Sequence, residues 1–97
     1  MNHKIWKFKL EQVSNLMIPK GGKVLSAKNQ HEDICIWVLV DPNAPLVQRL
    51  FEIHGTGHTI CDSNSMEFID TVLLNDGSLV LHVFESTAKF TQKRQES

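Results

Sequence analysis

The sequence predicts an all-β, or nearly all-β, domain: a small antiparallel sandwich or barrel of about six or seven short strands. Three observations predict it. Apolar and polar residues alternate with a period of two over several short segments. Gly, Pro, Asn and Asp interrupt those segments roughly every eight to twelve residues. No stretch of about ten residues or more carries apolar positions at helical spacing.

The segments follow in order. Residues 4–10 place Trp6, Phe8 and Leu10 on one face and Lys7 and Lys9 on the other, as a half-buried strand requires. A short apolar piece, Leu16-Met17-Ile18, stops at Pro19-Lys20-Gly21-Gly22, a turn. Residues 23–28 read as the next strand, and the polar residues 29–33 as a hairpin loop. Residues 34–40 are apolar on both faces, with Ile34, Ile36, Val38 and Val40 opposed to Cys35, Trp37 and Leu39. Such a strand belongs in the centre of a covered sheet or at a subunit interface. Its β-branched residues and the stop at Asp41-Pro42 favour strand over helix. Residues 47–54 alternate again, with Val47, Arg49, Phe51 and Ile53 on one side. Residues 67–74 put Phe68 and Val72 on one face and Ile69, Thr71 and Leu73 on the other. Asn75-Asp76-Gly77 is the strongest hairpin signal, because Asp-Gly suits a type I′ turn, and residues 78–84 return.

At 97 residues and 41% hydrophobic content the chain holds one domain, expected over residues 1–85, with a polar tail over 86–97 whose one aromatic is Phe90. That tail is expected to fray or dock weakly. A domain this small is marginal alone, so a homo-oligomer is expected. Ten basic residues balance eleven acidic ones, giving a net charge of −1, which provides no general pull toward nucleic acid or a membrane. The two cysteines have no metal-ligand spacing and are too few for a disulfide scaffold. With neither an apolar leader nor a spanning segment, a cytoplasmic location is expected.

Chemistry concentrates at His54-Gly55-Thr56-Gly57-His58. Two glycines let the backbone approach a ligand, and successive N–H groups in such a turn form an anion-binding nest. The Thr56 hydroxyl and His58 imidazole add hydrogen bonds to a phosphate; the competing reading is a tight strand connection and nothing more. His54 and His58 have the spacing of two helical metal ligands, but Gly-Thr-Gly between them argues against a helix, and no metal is expected. His82 shares a face with Val80 and Phe84 and reads either as a hydrogen-bonded structural residue or as a pocket donor. Arg49 reads either as a solvated surface cation or as a bidentate phosphate clamp. Trp6 and Trp37 read first as core or interface anchors and, with no tyrosine in the chain, also as the candidates to stack on a purine. The ligand-binding set expected is therefore His54, Gly55, Thr56, Gly57, His58, Arg49, His82 and Trp37, with no catalytic residue and no cofactor.

Ile5-Trp6-Lys7-Phe8, Met17-Ile18-Pro19-Lys20-Gly21, the run from Ile36-Trp37-Val38 through Asp41-Pro42, Gly55-Thr56-Gly57-His58 and Leu81-His82-Val83-Phe84-Glu85 together resemble a family of small proteins encoded by tailed bacteriophages and prophages. The likeness covers roughly residues 4–85 in order; where family members often carry Pro after the Gly-Thr-Gly-His element, this chain has Thr59. No established activity comes with the family. The resemblance implies a phage product acting in the bacterial cytosol, and by analogy a counter-defence sponge that sequesters a nucleotide immune signal, a cyclic dinucleotide or an ADP-ribose derivative. Two rivals stand beside it: a protein-binding module, such as an inhibitor of a host enzyme or a virion accessory piece, and a metal-free hydrolase of a nucleotide signal using His54 or His58.

Overall fold

The computed structural model describes residues 2–61 and 63–87. Seven strands follow one another: β1 (Lys4–Leu10), β2 (Val13–Pro19), β3 (Lys23–Gln30), β4 (Asp33–Val40), β5 (Leu46–Gly55), β6 (Met66–Leu74) and β7 (Leu79–Ser86). Short 3-10 turns precede and follow β6. All pairings are antiparallel. They build a three-stranded sheet in the order β1-β4-β3 and a four-stranded sheet in the order β2-β5-β7-β6, packed as a sandwich. The expected all-β class holds. The strand expected from residue 78 starts at Leu79 and runs on through Ser86, and the polar tail from residue 88 lies outside the described residues.

The apolar strand takes the centre of its sheet, although the second sheet covers only one of its two apolar faces. β4 is the middle strand of its sheet, and Ile34, Ile36, Val38 and Val40 point into the sandwich and are buried. They meet Leu10, Ile18, Ala27, Phe51, Val72 and Val83, with Trp6 and Phe8 packed at the margin. Phe51 is fully buried, the largest such side chain, and sits at the centre of β5. On the opposite face of β4, Cys35 is also buried; its cross-strand neighbours are Lys9 and Lys28, whose aliphatic stems shield it while the ammonium groups reach water.

Turn chemistry sets the registers. Ser78 N–H donates to the Asn75 carbonyl at 3.1 Å, with Asp76 at φ 55°, ψ 34° and Gly77 at φ 90°, the type I′ pattern expected of Asp-Gly. Between β3 and β4 a two-residue loop, His31-Glu32, also has both φ values positive, 51° and 74°, although neither residue is glycine. Asn29 Oδ1 offsets part of that strain by accepting the Glu32 N–H at 3.0 Å.

One facing expectation fails. A bulge between Phe68 and Asp70 shifts the pairing of β6, so Phe68 opposes Phe84 on the outer face while Val72 turns into the core. Simple alternation put the two on the same side, and it cannot register an inserted residue. The bulge also brings Asp70 to the edge of β3, where its carboxylate accepts the Ala27 N–H at 3.2 Å and lies 3.5 Å from Lys28 Nζ. Partial burial pushes that carboxyl up. The amides of Ala27 and Thr71 and the Lys28 ammonium outweigh the push and hold it below its usual range. A carboxylate thus closes the seam between the two sheets and caps an edge strand that would otherwise offer a free donor.

Candidate functional site

The two expected histidines of the loop flank the end of β5. Gly55 is its last residue and lies opposite Leu81, and the chain then turns back: His58 N–H donates to the Gly55 carbonyl at 3.1 Å. Gly57 has φ +88° while Thr56 is not in the positive-φ region, the pattern of a type II turn with its obligatory glycine third. Closing the turn engages the His58 amide, so Thr56 and Gly57 form the exposed crest of the loop. The His58 ring folds back over Gly55. A Cβ at that position would lie 2.9 Å from Cε1 and 3.0 Å from Nδ1 of His58, so the first glycine of the motif lets the ring lie there although its own φ is ordinary.

Beside this turn the two sheets part, leaving an open cleft of about 420 Å³. Its floor is apolar: Leu10 and Ile34 from one sheet, Ile53, Leu74 and Leu81 from the other. Its rim is polar and asymmetric. His54, Gly55 and His58 form one side. Lys9, Glu11, Gln12, Glu32 and Asp33 form the other, where Lys9 Nζ stands 3.9 Å from Glu11 and 3.7 Å from Asp33. An apolar floor under a few converging polar groups is the usual construction of a small-molecule site.

His54 and His82 are cross-strand neighbours on the outer face of the four-stranded sheet. His54 Nε2 lies 2.9 Å from Glu52 Oε1, and its ring meets Phe84 edge-on at 5.8 Å. His82 is held at both nitrogens, Nε2 by Thr56 Oγ1 at 2.7 Å and Nδ1 by Thr71 Oγ1 at 3.0 Å. While the ring is neutral one of these hydroxyls donates to it and the other accepts from it. His82 therefore fastens the Thr56 crest of the turn to β6 across β7. Neither Glu52 nor Thr71 emerges as a partner from sequence reasoning. Glu52 shares a strand face with His54 two residues away, a legible signal; Thr71 follows from counting back from the Asn75–Ser78 turn, where Leu74 opposes Leu79 and Thr71 opposes His82.

The other two expected ligand residues stand apart. Arg49 donates through Nε to Glu85 Oε2 at 2.6 Å, through Nη2 to Glu85 Oε1 at 2.8 Å and through Nη1 to the Gly22 carbonyl at 2.6 Å. Its hydrogen bonds to Glu85 push the guanidinium still higher than its ordinary value, so it is a permanent cation engaged within the fold. A second groove, of about 360 Å³, lies over this pair and includes Val24, Phe68 and Ile69. Trp37 lies on the outer face of the three-stranded sheet, half-buried between Lys7 and Ser26. Among the described residues no group of three His, Cys, Asp or Glu side chains is placed to hold a metal ion, and no helix is long and apolar enough to cross a membrane.

Neither the curated proteins nor the solved structures contain a match to this chain. A family model does match, over residues 1–94, which takes in the whole sandwich and the turn at its open end. The chain belongs to the family described as a domain of unknown function, DUF7352.

Proposed function

We propose that this protein is a non-catalytic binder of a small phosphate-bearing molecule, held in the cleft between the ends of the two sheets. The observation that carries the reading is the coincidence of the His54–His58 turn with an apolar-floored cleft of a size that takes a small ligand. A flat base suits the floor of Leu10, Ile34, Ile53, Leu74 and Leu81. The phosphate belongs at the histidine rim, because the opposite rim carries three carboxylates against one lysine and repels an anion. There the exposed His58 ring is the available donor, and the Thr56–His82–Thr71 chain holds in place the turn that carries it. Among the described residues no hydroxyl or thiol lines the cleft, which supports retention of the ligand over nucleophilic turnover. Nucleotide signals such as cyclic dinucleotides and ADP-ribose derivatives have the required pairing of base and phosphate, and sequestration of one is the role proposed.

Isothermal titration with a panel of cyclic dinucleotides and ADP-ribose derivatives tests this. Saturable heat is expected for at least one compound, lost in His58→Ala and retained in Arg49→Lys, and chromatography of the heat-released compound should return it intact. No heat across the panel overturns the proposal, and release of fragments replaces a binder by a hydrolase.

A further inference from the structure

The two outer faces of the sandwich differ in chemistry. The face of the three-stranded sheet carries Lys7, Lys9, Lys23 and Lys28 around Trp37, and of its large apolar residues Ile5 is exposed. The face of the four-stranded sheet carries no lysine or arginine among the described residues. Five of the eight exposed large hydrophobic side chains lie on it: Val13, Met17, Leu46, Phe68 and Leu73. Phe68, on the edge strand β6, is 56% exposed and packs edge-on at 5.6 Å against Phe84 of the neighbouring β7. One carboxylate, Glu52, lies on this face, and it is bonded to His54.

We infer that this face is the contact between two copies of the chain. Its single carboxylate gives little handle for selecting a partner of opposite sign, whereas a second copy presents the same apolar surface across a two-fold axis. Glu52 is bonded to His54, and His82 to Thr56 and Thr71, so covering those groups orphans few donors, and the amides of Asn15 and Gln48 are left to bond across the contact. The area suffices. Four strands of about eight residues, at roughly 3.3 Å per residue and 4.8 Å between strands, span about 500 Å² in projection, before side-chain relief is added. Two copies bring together about 1,000 Å², the minimum a specific interface must clear and the size of a weak, reversible one. The opposite face, of similar extent, is kept wet by its lysines.

Sedimentation velocity across a concentration series to about 100 μM tests the inference, since an interface this small gives a dissociation constant on the order of micromolar. The wild-type chain is expected to dimerise. Phe68→Asp and, separately, Leu73→Asp are expected to raise the dissociation constant about 30-fold or more, with circular dichroism and the thermal midpoint of the dilute monomer unchanged, because both side chains are exposed in the single copy. Ile5→Asp, on the lysine face, is expected to leave association as it was. A wild-type chain monomeric at about 100 μM overturns the inference, whatever else the face captures. So does a dimer broken by Ile5→Asp and untouched by Phe68→Asp.

Discussion

The two ends of the sandwich handle polar groups in opposite ways. At one end Arg49, Glu85 and the Gly22 carbonyl satisfy one another, and the side chains of the ion pair are only 20% and 15% exposed. At the other end the sheets part, and histidines and carboxylates line a cleft they do not fill. The difference teaches which charged residues a fold has committed to itself. An arginine on a strand is indistinguishable in sequence from a phosphate clamp; its three short bonds within the chain give it a structural task here, while the exposed His58 keeps its reach toward solvent.

The largest effect that sharpens this contrast is Arg49→Ala. It leaves the Glu85 carboxylate poorly solvated and unpaired and should lower unfolding free energy by about 2–4 kcal/mol in urea titrations, without changing affinity at the distant cleft. If the variant is as stable as the wild type and loses ligand instead, the assignment of the two ends is reversed. Next in size is the strained hairpin at the cleft rim. His31→Asn with Glu32→Gly supplies the residues that a type I′ loop prefers and should raise stability by about 1 kcal/mol, read as a higher midpoint in thermal unfolding.

Asp70 belongs to neither end but closes the flank between them, and its effect depends on pH. Its folded carboxyl titrates below the ordinary range of an aspartate, so the unfolded chain binds more protons through that window. Its contribution is therefore full above that range and fades as the pH falls through the depressed folded value. Asp70→Asn should cost about 1 kcal/mol near neutrality, and the difference from wild type should shrink in acid unfolding curves. The smallest stability effect is expected from Gly55→Ala. The added Cβ meets the tip of an exposed side chain, so stability should change by about 0.5 kcal/mol or less, yet the His58 ring must swing away and cleft affinity should fall as it does in His58→Ala.

Much of the fold was legible because period-two alternation and turn residues report directly on a half-buried sheet. The double-sided apolar strand announced a sheet centre, and Asp76-Gly77 announced its turn. The bulge at Phe68–Asp70 was not legible, since one inserted residue reverses facing without altering composition. The site divided along the same line. The glycine spacing and the two histidines marked the turn locally, but the cleft is made by Leu10, Ile34, Leu74 and Leu81, far apart in sequence and individually indistinguishable from core. The Arg49–Glu85 pair spans 36 residues, and no local pattern joins its members.

The central claim is that the cleft beside the Gly55–His58 turn holds a phosphate-bearing ligand. Amide chemical-shift mapping during titration with a cyclic dinucleotide and with ADP-ribose tests it most directly. The account predicts saturable shifts at His54, Gly55, Thr56, Gly57 and His58, joined by Leu74 and Leu81, with Trp37 and Arg49 unmoved. Shifts centred on Trp37 and its flanking lysines, or none at any position, would contradict it.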